Sequence, residues 1–214
     1  MASLSKNKIK YIHSLELKKI RKEERVFLAE GPKLVGDLLG HFPCRFLAAT
    51  PFWFQEHPGI DASELVEVSQ EDLSRASLLK TPQQVLAIFE QPQYTLDPEA
   101  VRSSLCLALD DVQDPGNLGT IIRAGEGAGI TGVVMSSDTA DIYNPKVIRS
   151  TMGSVLRVPF VYASDLKEAC EQMKKAGISL YAAHLKGMHN YDQEDYTKDT
   201  GFLIGNEAKG LTDE

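Results

Sequence analysis

Residues Leu105 to Gly129 read LCLALDDVQDPGNLGTIIRAGEGAG, and their pattern decides the fold. Leu105, Leu107 and Leu109 belong to an apolar run that stops at two aspartates; a turn follows at Asp114-Pro115-Gly116-Asn117, and apolar residues recur at Leu118, Ile121, Ile122 and Gly125. This is a strand, a tight turn and a helix. Those helical positions fall at i, i+3, i+4 and i+7, one stripe against a core, which leaves Thr120 and Arg123 on other faces. Asn117 reads as an N-cap residue, whose ordinary work is to satisfy an orphan amide. Six residues separate it from Arg123, so within one helix the two would face different ways. They converge only if Asn117 belongs to the turn, the place where strand-to-helix loops build sites.

Bulk properties narrow the class. A chain of 214 residues holds one large or two small domains, and 43% hydrophobic with 25% charged residues is the composition of an ordinary globular protein. No apolar run is long enough to span a bilayer, and MASLSKNKIK lacks the apolar centre of a signal peptide, so a cytoplasmic protein with no membrane partner is expected. Cys44, Cys106 and Cys170 are odd in number and lack a Cys-x-x-Cys pair, which suits free buried thiols. The five histidines show no metal spacing, and no metal is expected. Gly205-Asn206-Glu207-Ala208-Lys209-Gly210 has the glycine spacing of a P-loop, but Leu211 stands where its lysine belongs; Gly125, Gly127 and Gly129 miss the dinucleotide spacing.

The net charge of −7 is unevenly spread. Residues 1–33 carry nine cations against four glutamates, and the remainder of the chain stands at −12. Lys6, Lys8, Lys18, Lys19 and Arg21 in that segment form a candidate phosphate-contacting face, although charge alone fits a solvated helix face equally well. In chain order, Leu4–Ile20 reads as one or two short amphipathic helices, Val26–Ala29 as a strand, Pro32–Leu39 as a helix and Arg45–Ala49 as a strand. Strands at Leu65–Val68 and Val85–Phe89 flank a helix at Glu71–Leu79, an alternation that predicts a small α/β domain with a largely parallel sheet. Domains are therefore expected at 1–92 and 104–214, joined by a proline-containing linker over 93–103. Beyond Leu118 the pattern gives a strand at Val133–Met135, a helix at Lys146–Ser150, a strand at Val158–Val161 and a helix from Asp165 to Lys175 capped by Ser164. Strands at Ser179–Ala183 and Phe202–Ile204 follow.

Three stretches in order, DPGNLGTIIRAGEGAG, then IRSTMGSVLRVPF within Asn144–Phe160, then LIGNEAKGL, resemble the motifs of the SpoU (TrmH-like) branch of the SPOUT RNA methyltransferases. The basic segment LSKNKIKYIHSLELKKIRKEERVFLAEGPKLV resembles the ribosomal-protein-like RNA-binding modules found at the N-terminus of such proteins. The resemblance implies a SPOUT α/β fold with a trefoil knot. It also implies a homodimer and S-adenosyl-methionine-dependent 2′-O-ribose methylation of structured RNA, with rRNA favoured over tRNA. By the same resemblance Asn117, Arg123 and Glu207 are the catalytic residues, Arg149 and Ser150 of the second motif handle RNA, and His184, Leu185 and Gly205 hold the donor. Arginine stays protonated at ordinary pH, so Arg123 is expected to act on a phosphate or orient the hydroxyl rather than abstract a proton. Glu207 has a plainer reading as a carboxylate favoured by a helix dipole, and Arg123 as a surface residue of its helix.

Three departures stand out. Ser154 occupies a position where family members often have Ala, and Ala208 one where they often have Gly. Family members also continue past GNE-x-x-GL into a Ser-Leu-Asn-Val segment and a final helix, whereas this sequence ends at Glu214. That ending carries the expectation of an incomplete knot and weakened activity. It keeps open a non-catalytic RNA-binding or ribosome-assembly role on the same scaffold, with an unrelated nucleotide-binding enzyme as a third reading.

Overall fold

The computed structural model describes residues 3–95, 97 and 105–212. Residues 96 and 98–103 of the expected linker lie outside the described residues. The chain divides into two compact units, one within Met1–Pro92 and Tyr143–Gly153, the other within Gln93–Ile142 and Ser154–Glu214.

The first unit runs α1 (Lys6–Ser14), α2 (Lys18–Glu24), β1 (Val26–Glu30), α3 (Pro32–Leu38), β2 (Cys44–Ala49), α4 (Pro51–Glu56), β3 (Leu65–Glu67), α5 (Gln70–Ala76) and β4 (Val85–Glu90). A later helix, Pro145–Ser150, joins it. Its sheet has the order β1-β4-β2-β3. β4 runs antiparallel to both β1 and β2, and only β2 and β3 are parallel. The expectation of a largely parallel sheet is thus corrected: β4 returns between the first two strands in the opposite sense. Alternating strand and helix patterns carry no strand direction, and Val85–Phe89, buried on every position, has the apolar continuity of any central strand. Ile12, Leu15, Val26, Leu28, Phe46, Leu73, Leu86 and Ile88 fill the core on one side. Phe27 stacks between Phe89, at 5.7 Å, and Tyr143, at 5.3 Å, so the helix that follows Tyr143 is pinned to β1.

The second unit contains β5 (Leu105–Leu109), α6 (Pro115–Gly127), β6 (Ile130–Ser136), β7 (Phe160–Ala163), α8 (Leu166–Lys175), β8 (Ser179–Ala182) and β9 (Thr200–Ile204); the helix Pro145–Ser150 takes the label α7 in chain order. All neighbouring strands pair in parallel, in the order β7-β6-β5-β9-β8. α8 is capped by Asp165, whose side chain accepts from the Glu168 amide at 2.9 Å, in place of the expected Ser164. α8 packs Ala169, Cys170 and Met173 inward, and Met173 joins Cys106, Val134 and Ile178 in a core cluster. Cys44, Cys106 and Cys170 are free and buried, and burial pushes the Cys44 and Cys106 thiols up to about 11. Leu109 of β5 pairs with Ile204 of β9, so both strands end at one level and their following loops face each other at the carboxyl edge of the sheet.

Candidate active site

Those two loops are stitched together by side chains. Glu207, after β9, accepts from the backbone amide of Gln113 at 3.2 Å through Oε2; through Oε1 it accepts from the Asp114 amide at 3.1 Å and from Asn117 Nδ2 at 3.2 Å. In return, Asn206 Nδ2 donates to the Asp111 carbonyl at 2.8 Å, while its Oδ1 accepts from the amides of Ala208 and Lys209. Asn206 and Gly210 exchange two backbone hydrogen bonds at 2.9 Å each, closing the loop on itself. Buried Asp110 accepts from the Thr212 amide at 2.8 Å and fixes where the loop leaves. The result is an open groove lined by Asp111, Gln113, Asn117, Asn206, Glu207 and Lys209, among others. Burial works to raise the Glu207 carboxyl, but the bonds from its own loop amide, Asn117, Asp114 and Gln113 outweigh it and hold the group below the usual glutamate range.

α6 begins two residues earlier than Asn117: Asp114 is the N-cap, accepting from the Asn117 amide at 2.8 Å, and Pro115 takes the first helical position. The expected N-cap role of Asn117 is corrected accordingly. Asp, Asn and the Pro at the first turn all carry capping preferences, so the Asp114-Pro115-Gly116-Asn117 run leaves two start points open until the structure chooses. Six helical steps then place the Asn117 and Arg123 side chains roughly 120° apart and about 9 Å along the axis. Arg123 is exposed, and among the described residues its side chain makes no hydrogen bond or ion pair.

Gly205 lies where the loop after β9 turns back on itself. A Cβ there would sit 2.3 Å from the Gly210 carbonyl carbon and 2.4 Å from the Leu211 amide nitrogen, so the close approach it permits is to the protein's own backbone. His184 follows Ala183, whose amide donates to the Leu203 carbonyl at 3.2 Å; its Nδ1 accepts from the Lys186 amide at 3.0 Å, and Leu185 is fully exposed. Sequence reasoning passed over Asp111, Gln113 and Asn206 as groove residues, although Asn206 stood inside the third motif.

The RNA-contact candidates divide. Lys6, Lys18 and Lys19 are exposed on α1 and α2, Lys19 3.8 Å from Glu23. Lys8 is engaged within the fold: its ammonium bonds Glu64 at 2.6 Å and lies 4.3 Å from the centre of the Phe46 ring. Arg21 is corrected outright. It is 1% exposed, and its guanidinium donates to the carbonyls of Leu15 and Glu16 at 2.7 Å each, tying the α1–α2 corner. Arg149 and Ser150 stand on α7 in the first unit, where the Ser150 hydroxyl donates back to the carbonyls of Lys146 and Val147.

Comparison with known proteins matches residues 104–214 to the SpoU rRNA Methylase family and residues 6–87 to the MRM3-like substrate binding domain. The chain belongs to the SpoU rRNA methylase family. Among its SpoU relatives, the 23S rRNA (guanosine(2553)-2′-O)-methyltransferase RlmP of Bacillus subtilis is 29% identical over 98% of this chain and 83% of its own length. The AdoMet-bound rRNA methyltransferase from Sinorhizobium meliloti is 34% identical and superposes with a TM-score of 0.82 over 99% of this chain and 82% of that one. The SpoU methyltransferase AviRb from Streptomyces viridochromogenes, in complex with AdoMet, gives a TM-score of 0.85 at 25% identity over 98% and 84%. The SpoU family match spans the groove and all three sequence motifs. No helix among the described residues is long and apolar enough to cross a membrane.

Proposed function

We propose that this SpoU protein transfers a methyl group from S-adenosyl-methionine to a ribose 2′-hydroxyl of rRNA, at the groove between the β5 and β9 loops. The observation that carries the reading is Glu207 binding the Asn117 carboxamide and the amides before α6, which joins the first and third motifs at one point. The donor set fits: carboxylates of Asp111, Asp114 and Glu207 face a single lysine, Lys209, in a groove that favours a cationic sulfonium. When bound, S-adenosyl-methionine would supply an electrophilic methyl group: the ribose oxygen forms the new C–O bond as the S–CH3 bond breaks, S-adenosyl-homocysteine leaves as a neutral thioether, and the hydroxyl proton passes to solvent water.

The protein's own residues position the partners. Glu207 holds the Asn117 amide toward the groove, and Arg123, charged and exposed, neutralises an RNA phosphate and orients the hydroxyl beside it. Gly205, His184 and Leu185, at the ends of β9 and β8, flank the donor. The angular separation of Arg123 from Asn117 supports a homodimer in which a second copy completes the site, and rRNA as substrate supports a cytoplasmic protein.

The test is transfer of label from methyl-tritiated S-adenosyl-methionine to 23S rRNA. Label recovered in alkali-resistant dinucleotides is the expected result, because a 2′-O-methyl group blocks cleavage of the adjoining phosphodiester. Label in alkali-sensitive mononucleotides, or none in RNA, overturns the reading. Light scattering of the purified protein, with twice the chain mass expected, checks the dimer.

A further inference from the structure

The first unit contains a cavity of about 250 Å³ that the methyl-transfer groove does not use. Pro32, Leu34 and Met152 give it apolar wall, and Lys33, Gln83 and Arg149 give it a polar rim. Among the described residues, the ends of these three rim side chains make no hydrogen bond or close ion pair within the protein, and the Arg149 charge acts at longer range on the Glu30 carboxyl. Glu30 lies at the back, with its carboxylate already engaged by the Ser77 hydroxyl and the Leu78 amide. Asp37 completes the wall. Gly31 explains how Gln83 comes to be there: at φ +101°, with a Cβ position only 2.7 Å from Gln83 Oε1, the glycine leaves the space in which the carboxamide rests.

These features match a nucleotide better than a bare anion. A nucleobase has apolar faces and a polar edge, and single-stranded bases are held by apolar contact on the face and hydrogen bonds on the edge. A carboxamide offers a donor and an acceptor side by side, the arrangement that reads a base edge. Lys33 and Arg149 supply the cations a phosphate needs. The carboxylates of Glu30 and Asp37 in the same wall offset much of the charge of Lys33 and Arg149, so a bare anion gains little there, whereas a nucleotide adds apolar contact and a base amino group that can donate to Asp37. The volume suits one nucleotide, being below the range of about 300–1,000 Å³ usual for larger ligands.

We propose that this cavity binds one unpaired nucleotide of the RNA, its base against Pro32, Leu34 and Met152, its edge on Gln83 and its phosphate on Lys33 and Arg149. The proposal rests on the methyl-transfer reading for RNA as the ligand, and makes Gln83 a residue that selects which RNA is modified. It is tested with Lys33→Ala, Gln83→Ala and the double variant of the full chain. The measurements are filter retention of 23S rRNA, KM and kcat for methyl transfer, and calorimetric affinity for S-adenosyl-methionine.

The double variant should bind rRNA tenfold or more weakly and raise KM equally, with kcat and donor affinity within twofold. Lys33→Ala should also lower the slope of log affinity against log salt by roughly 0.7–0.9, the loss of one phosphate contact, while Gln83→Ala leaves the slope unchanged. Lys33→Arg should restore binding, which a folding defect would not allow. Unchanged rRNA retention in the double variant overturns the proposal, and is the result expected if the cavity takes a protein segment instead. Methylation that persists with unchanged KM removes the cavity and leaves the function standing; lost retention with no methyl transfer by the unsubstituted protein removes the function and keeps the cavity.

Discussion

Glu207 and Arg21 are charged residues whose partners give them opposite assignments. Glu207 accepts three hydrogen bonds across the groove, and its folded carboxyl lies below the ordinary value of 4.5. A lowered folded value means that its stabilisation is present above pH 4.5 and is lost as pH falls through the folded value; being exposed, the group contributes under about 1 kcal/mol. Amide resonances of Gln113 and Asp114 should therefore titrate together, with a midpoint below 4.5. A midpoint at or above 4.5, or separate midpoints, would show that Glu207 does not hold them. Arg21 is buried and its donors serve two backbone carbonyls. Arg21→Met should lower unfolding free energy by about 2–3 kcal/mol in urea, whereas Lys18→Ala on the exposed side should stay within about 0.5 kcal/mol. Equal effects would mean that the Arg21 guanidinium does not stabilise the α1–α2 corner.

At the scale of elements, the β9 loop depends on one absent side chain. Gly205→Ala would put a methyl group within 2.5 Å of the backbone of Gly210 and Leu211, which no rotamer change relieves. The expected cost is about 1–3 kcal/mol of stability with displacement of the Asn206–Gly210 bridge, and at least tenfold weaker binding of S-adenosyl-methionine by calorimetry. Wild-type affinity in that variant would mean the loop does not shape the donor site. The third motif was legible before any coordinates because its Gly-Asn-Glu run is specific, as was the strand-turn-helix at Leu105–Gly127. Other features were not, for physical reasons. A six-residue helix such as α4 is too short to show a period, and nothing in Val85–Phe89 encodes that β4 runs against its neighbours. Capping preference could not choose between Asp114 and Asn117, nor could charge reveal that Arg21 folds back on Leu15 and Glu16 while Lys18 and Lys19 stay outside.

Over the whole molecule, charge is distributed against its own total. The net charge of −7 would repel RNA if it were uniform, yet residues 1–33 are positive and the rest of the chain stands at −12. Such a distribution concentrates phosphate attraction at the basic segment and disfavours loose association over the acidic remainder, where single cations such as Arg123 and Arg149 act locally. With Arg21 buried and Lys8 paired to Glu64, the exposed members of the candidate set Lys6, Lys8, Lys18, Lys19 and Arg21 are Lys6, Lys18 and Lys19. Reversing two of them, in Lys18→Glu with Lys19→Glu, should cut rRNA affinity at 50 mM salt much more than at 200 mM, and reduce the salt slope by roughly 1.4–1.8 for two lost contacts. Affinity for S-adenosyl-methionine should not move, since the donor groove belongs to the other unit. Comparing the two affinities in one preparation separates electrostatic docking from general damage to the fold. A slope that the double reversal leaves unaltered would place the RNA on another surface, and Lys33 and Arg149 of the first unit would then be the cations to vary next.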